Sequence, residues 1–598
     1  MDDDPPTRVG TPGGDPAGVR RTPGAAVTAG AAGPDTPAGD APPQWHRGLT
    51  LLATISLFIG TRSAWTTAMA NVPVVAGVIS VCYAGILTAG VLAFATRSRR
   101  GLGRVDLGVL VLAAVLVVCA LWLNPAGIDE AALTTQAANE IVHGHAMYGQ
   151  PWPWLFGTPT VGITKLMSGG ADYTYGYGPL TALLVAPIHL FAHSTVAATA
   201  VTTGALLAGT VTLWVLLPAP WRSAATAVCL GFGLLPAYAR GGYPAITALA
   251  LLIPVVVRWH RTGAGGRLGR GGVARSVCLG LACAAQQLAW FLAPFLLVGM
   301  YAVRRGELGH RRALEVTVRH AALAFATWLL VNAYFIAQGP SQWLSGSLLP
   351  FTQKAILHGQ GVMGISYYVT GGSDRLDFYS YAGMLLMLGL LAATVLFVRR
   401  LGPALTVLPW CAFYLTTRSQ DGYFLLMTPL WIAAAATVPA SALAGAWQPR
   451  PVVAGGRRAG AAVLAALLAP AVLCVGVAAA SPPPLRMTID RLTVAGRGRP
   501  TLTGLAVRAV NVTGTALAPH FATRSGQGAS DWWTVRSGPA VLRPHARGDY
   551  VLRAPADLQP LPTGRDRHVY LIAVSGTPMT ITTTALPLAD ARHAAGPR

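Results

Sequence analysis

The sequence predicts a mostly α-helical polytopic membrane protein of about 13 crossings, followed by a C-terminal extracytoplasmic β-sandwich domain. Three observations carry this. Apolar residues make up 53% of the 598-residue chain and charged residues 11%, with a mean hydropathy of +0.50, well away from soluble averages. The basic residues fall in short clusters between apolar runs, the pattern that orients membrane helices. After residue 480 the character changes: LTGLAVRAVNV, HFATRS, WWTVR, DYVLRA, HVYLIAV and MTITTTAL are short β-rich runs separated by turn-forming residues. The net charge of +22 is therefore an orientation signal, and no nucleic-acid partner is expected. All seven cysteines lie in apolar runs, without disulfide or zinc spacing, so the outer domain must be held by its own core. Only Lys165 and Lys354 of the 44 basic residues are lysines, which together with the high Ala, Gly and Pro content suggests a GC-rich bacterial genome.

Residues 1–45 have few large apolar side chains and are predicted to form a disordered cytoplasmic tail, with no cleaved signal peptide. The membrane domain is expected over 46–480 and the β domain over 481–598. Apolar runs at 49–70, 73–95 and 106–124 are followed by a polar stretch, 124–179, which has four acids, one lysine and no arginine. Arg97, Arg99, Arg100 and Arg104 precede the third run, so that run leads outward and the stretch lies outside. From the end of this stretch to the basic cluster 258–275 lie four apolar runs, the first of them completing the outer loop (125–194), and an even number of crossings would leave the cluster outside. One run must fail to cross. The run at 178–193, short and interrupted by Pro187 and His189, is predicted to be a surface or re-entrant helix. Residues 276–303 are predicted to form a hairpin of short helices turning near Gln286 and Gln287. A second outer loop (338–379), runs at 380–398, 403–417, 423–441 and 460–480, and an extracytoplasmic C-terminus complete the reading, which places the chain in the bacterial cytoplasmic membrane.

The chemistry is expected in the outer loops. If the first is helical, Asp129, Gln136, Glu140 and His143 fall within roughly 40° on one face; the same spacing also suits a helix lying on the membrane with its polar face in water. A carboxylate at the end of an outward helix can take the proton of an acceptor hydroxyl while a lipid phosphate departs along the bilayer. Asp129 and Glu130 are the candidate catalytic acids. Arg418 first, then Lys354 and Arg375, are the candidate groups for the phosphate. Tyr148, Trp152, Trp154, Tyr173, Tyr175 and Tyr177 could form sugar-facing walls, although Trp and Tyr belong at membrane interfaces in any case. In the β domain His520, Trp532, Trp533 and Tyr550 could stack on sugars, or be core and docking residues.

Four stretches, IDEAALTTQAANEIVHGHAMY, YTYGYGPLTALLVAPIHLF, GLACAAQQLAWFLAPFLL and RSQDGYFLLMTPLW, resemble the first outer loop, following surface helix, short hairpin and late outer turn of the GT-C class of integral membrane glycosyltransferases. Many members have Lys where this chain has Gln286 or Gln287. The resemblance implies an inverting, single-displacement transfer of a sugar such as mannose or arabinose. The donor would be a polyprenyl-phosphate sugar and the acceptor a cell-envelope glycan or glycolipid, with Asp129 as the loop acid. By the same analogy Glu130, Glu140, Asp172 and His358, with Tyr175 and Tyr177, would bind acceptor or donor or, for the acids and His358, a divalent metal. A transporter or flippase for a lipid-linked glycan, and a non-catalytic envelope scaffold, are the competing classes.

Overall fold

The structure, a computed structural model, describes residues 41–156, 161–162, 164–356, 358–449, 456–496, 500–526, 528–556, 558, 560 and 568–588. The predicted disordered tail lies outside the described residues apart from its last few. From residue 42 onward the chain is one compact unit.

The helices follow the apolar runs, and prolines or short polar residues start many of them. α1 (Gln44–Asn71), α2 (Pro73–Ala95) and α3 (Arg99–Leu123) form the first group. Pro73 opens α2 with its φ already set for a helix, and the Ser98 side chain caps α3 by accepting from Gly101 N. α4 (Asp129–Val142) follows. Next come α5 (Pro179–His189), α6 (Val196–Leu216), α7 (Arg222–Thr226), α8 (Leu234–Gly241) and α9 (Pro244–Val256). The run predicted at 223–238 is not one helix: a π-helical turn at Ala227–Gly231 and a left-handed Gly233 break it. α10 (Gly269–Ala285) and α11 (Leu288–Leu308) meet at Gln286, whose extended backbone and side-chain bond to Gln287 N make the predicted turn. With 21 residues, however, α11 is no short limb. α12 (His310–Gln338), α13 (Pro340–Thr352) and α14 (Asp377–Leu396) come next. The stretch expected as one run at 403–417 is instead a string of short turns including α15 (Val398–Leu401) and α16 (Leu408–Cys411). α17 (Asp421–Leu425), α18 (Thr428–Thr437), α19 (Ser441–Ala444) and α20 (Gly456–Ala480) complete the helices.

Among the described residues seven helices, α2, α3, α6, α11, α12, α14 and α20, are long and apolar enough to cross a bilayer, which fits a membrane protein. The run at 178–193 yields only the 11-residue α5. Large apolar side chains such as Val74, Val81, Trp122 and Leu330 point outward, as lipid-facing residues do. Inside, Asp106 of α3 is fully buried and receives hydrogen bonds from Thr50 (2.7 Å) and Ser223 and pairs with His46 (2.8 Å), tying α1, α3 and α7 together. A buried carboxyl is tolerated there because three side chains hydrogen-bond it.

The C-terminal part is two antiparallel sheets. β6 (Leu485–Ala495), β7 (Thr501–Asn511), β10 (Thr534–Ser537) and β11 (Arg547–Arg553) form one sheet, ordered β10-β11-β7-β6. β8 (His520–Ser525), β9 (Gly528–Ala529), β12 (Tyr570–Gly576) and β13 (Met579–Ala585) form the other, to which β4 (Gly372–Ser373), from the segment between α13 and α14, adds an edge strand. Leu505, Val507 and Leu552 of the first sheet meet Phe521, Leu571 and Ala573 of the second in one core. The opposite face of the second sheet, through Ala522, Ile572, Val574 and Ile581, packs on Met167, Met363, Tyr367 and Tyr379 of the helical part. Covered on both faces, strands β8 and β12 are buried along most of their length, whereas β11 alternates strictly between buried and exposed. Lys165 pairs with Asp531 (2.9 Å), Lys354 Nζ donates to Gly576 O (2.8 Å) and Trp532 Nε1 donates to Gly170 O (3.0 Å) along the same seam.

Candidate functional site

The site forms where the start of α4 meets the turn between α8 and α9. Two glycines allow it. Gly127 (φ +73°) and Gly242 (φ +86°) sit so close to Ala131 that a Cβ on either would come within 2.6 Å of it. Thr199 Oγ1 donates to Pro125 O and Arg240 Nη1 to Ala120 O, fixing the chain between α3 and α4. The small residues Ala131, Ala137 and Ala138 let α4 pack closely on α5 and α6. α4 is thus packed along Glu130–Thr135, Ala137 and Ala138, while Gln136, Glu140 and His143 of the polar stripe form its less buried side.

This packing half-buries Asp129 and leaves Glu130 only 9% exposed, with Oε2 lacking a hydrogen-bond partner among the described residues. Burial, then the hydrogen bond and charge of Asp129, push the Glu130 carboxyl well above the usual range; its backbone amide and the charge of Arg418 oppose this. Tyr177 and Tyr243 lie within electrostatic reach of the same acids, and Tyr423 within reach of both tyrosines. Burial, then Glu130 and Asp129, raise the Tyr177 phenol. Tyr238 stacks edge-on against Tyr243 at 4.7 Å. Two tyrosines, in turn close to Tyr238 and Tyr423, therefore lie near an acid pair that is within electrostatic reach of Arg418.

Arg418 arrives from far along the chain. Its strand β5 (Arg418–Ser419) pairs in parallel with β3 (His358–Gly359), so His358 and Arg418 are backbone neighbours. The side chains of His358 and Asp421 lie outside the described residues. Gly359 (φ +125°) makes the pairing possible: a Cβ there would lie 2.1 Å from Ser419 O. Arg418 is half-buried, its Nε is buried without a hydrogen-bond partner, and it makes no ion pair among the described residues. A guanidinium held this way is positioned to receive an anion.

The other predicted residues have different company. Glu140 accepts from Gln136 (2.6 Å) and contacts His145 (3.1 Å) at the far end of α4. Asp172 caps its own turn, accepting from Thr174 N and Oγ1, in the small ribbon of β1 (Thr164–Lys165) and β2 (Ala171–Asp172). Lys354 is spent on the β-domain seam, and Arg375 lies beside Asp374 at 3.9 Å. Tyr175 is fully buried, donates to Gly178 O, and packs with Tyr148 and Trp152. Trp154 is 64% exposed. Trp533 and Tyr550 are core residues of the β domain, and His520 covers Gly169 at its seam. Gln287 Nε2 donates to Gly176 O and Ser347 O, clamping the tyrosine loop to α13. Among the described residues no group of three or more His, Cys, Asp or Glu side chains is arranged to hold a metal ion.

Sequence reasoning overlooked Tyr238, Tyr243 and Tyr423. The first two flank the left-handed Gly242 in YARGGY, a turn between apolar runs, and that punctuation was the available signal. The fold and site together describe a membrane protein with an acid, tyrosine and arginine cluster at its helix ends. No family model, curated protein or solved structure matches the chain.

Proposed function

We propose that this chain is a membrane glycosyltransferase of the GT-C kind, transferring a sugar from a polyprenyl-phosphate donor to a cell-envelope glycan or lipid acceptor with inversion. The observation that carries the reading is the paired acids Asp129 and Glu130 within electrostatic reach of Arg418, whose buried Nε has no hydrogen-bond partner among the described residues. In the proposed step Asp129 accepts the acceptor's hydroxyl proton as that oxygen bonds to the anomeric carbon. The anomeric carbon–oxygen bond to the phosphate breaks, its electron pair leaves with polyprenyl phosphate, and Arg418 balances the departing charge. Glu130, kept protonated by burial, donates to Asp129 and holds it in place. The tyrosine cluster offers phenols to the sugar hydroxyls and ring faces to the sugar.

The proposal includes the finer topology: a cytoplasmic N-terminus, about 13 crossings made by the long helices with shorter apolar ones, and a β-sandwich outside a bacterial cytoplasmic membrane. The alternation of basic clusters with apolar runs supports it. The test incubates purified protein with labelled polyprenyl-phosphate mannose or arabinose and an envelope-lipid extract. Transfer of label should fall at least about 100-fold in Asp129→Asn at equal protein level. Undiminished transfer in that variant would remove Asp129 from its role. Label moved across the bilayer without being consumed would instead identify a flippase.

A further inference from the structure

The β domain has two broad faces to offer, and one of them is already used. The sheet β4-β13-β12-β8-β9 is covered on one side by its partner sheet and on the other by the outer loops of the helical part. The aromatic residues that might have stacked on sugars are committed to the core or to that seam. What remains free is the outer face of β10-β11-β7-β6.

That face is basic. On β6 the outward residues include Arg486 and Arg491, on β7 Arg508, and on β11 Arg547 and Arg553. Asp490 and Asp549 are its acids. Arg508 is held between them at 3.2 and 3.3 Å, and Arg547 reaches Asp549 at 3.5 Å. Arg486, Arg491 and Arg553 are exposed and make no ion pair among the described residues. Between the arginines of β6 and β11 the outward row of β7 is Gly504, Ala506, Arg508 and Val510, so the surface is low except where Arg508 and its two aspartates cross it. The register sets Arg486 and Arg547 on either side of Val510, and Arg553 beside Gly504 six residues further along β11. The result is a basic face about 20 Å long at the usual rise per strand residue, edged by guanidinium groups and crossed by Arg508. It suits an extended, repeating anion, because guanidinium forks bind carboxylate and phosphate oxygens in pairs.

We propose that this face binds an acidic polysaccharide of the cell envelope. The face is turned away from the helical part, since the other sheet lies between them, which favours a soluble polymer over a lipid surface. The inference rests on the extracytoplasmic placement of the β domain proposed above, but not on the transferase chemistry.

The test uses the full-length protein in nanodiscs of zwitterionic lipid, with polygalacturonate as the acidic probe and dextran as the neutral one. Polygalacturonate should bind and dextran should not, and binding should weaken at least tenfold between low and half-molar salt. The triple variant Arg486→Ser, Arg547→Ser, Arg553→Ser should lose at least tenfold in affinity, while Arg543→Ser, an exposed arginine off this face, should not. An unchanged thermal midpoint in the triple variant shows that its fold is intact. Equal binding of dextran, or an unaffected triple variant, overturns the proposal. So does arginine-dependent capture of phosphatidylglycerol vesicles that matches polygalacturonate. Asp129→Asn should bind the polymer normally, so failure here and failure of the transferase reading are separable.

Discussion

Replacing Glu130 by Gln keeps the side chain's shape and removes its ionisation. In the folded chain burial is the largest influence on this carboxyl, followed by Asp129, and both raise its pKa well above the ordinary glutamate range. Unfolded, the same carboxyl titrates near ~4.3. Between those values the folded chain keeps a proton that the unfolded chain has released. Folding therefore loses stability as pH rises through that window, by up to about 1.4 kcal/mol per pH unit for one proton. Below the ordinary carboxylate range both states are protonated and the substitution changes little. The gap between Glu130→Gln and the parent chain should thus open as pH rises, with the variant the more stable. Arg418 narrows the gap without reversing it, because burial and Asp129 outweigh it. Thermal unfolding midpoints in detergent from acid to mildly alkaline pH would read this, with a divergence on the order of 1 °C per pH unit for a chain of this size. Parallel curves, or a parent chain that gains on the variant as pH rises, would refute the claim that this acid is buried beside another.

Gly242→Ala places a Cβ 2.6 Å from the Ala131 backbone at φ +86°, so it should destabilise the chain by about 2 kcal/mol or more, read by chemical unfolding. Gly359→Ala meets Ser419 O at 2.1 Å and must push β5 away by about an ångström, displacing Arg418; such a shift typically lowers turnover about 100-fold, measured in the transfer assay with the fold checked by its thermal midpoint. Arg418→Gln removes the guanidinium and should weaken donor binding, seen as a raised KM for the polyprenyl-phosphate sugar. Lys165→Met should cost no more than about 1 kcal/mol despite its 2.9 Å pair, because Asp531 is half-exposed and water screens the interaction.

The features legible in the sequence are those carried by local pattern. The helix over Asp129–Val142, the break at Gln286, the short α5 and the onset of strands after Pro484 each follow from periodicity, proline or a change of composition. Where the reading failed, the backbone departs from any pattern: Gly233 and the π-helical turn split one run, and 398–415 collapses into turns. The proposed stripe of Asp129, Gln136, Glu140 and His143 was sound as geometry, since Gln136 and Glu140 do bond one turn apart. It passed over Glu130, because a helical wheel records angle and takes no account of what packs against each face.

Residue order alone was enough to set the kind of molecule, because hydrophobicity and charge act through sums over neighbouring residues: an oily helical body, polar loops at its edges, and a β-rich tail. It could not decide which polar groups share a space. Arg418 comes within electrostatic reach of Glu130 from 288 positions away, on a strand paired with β3, and Tyr243 comes near the same acids where Gly242 packs on Ala131. Such meetings depend on long-range packing, and only the folded chain makes them.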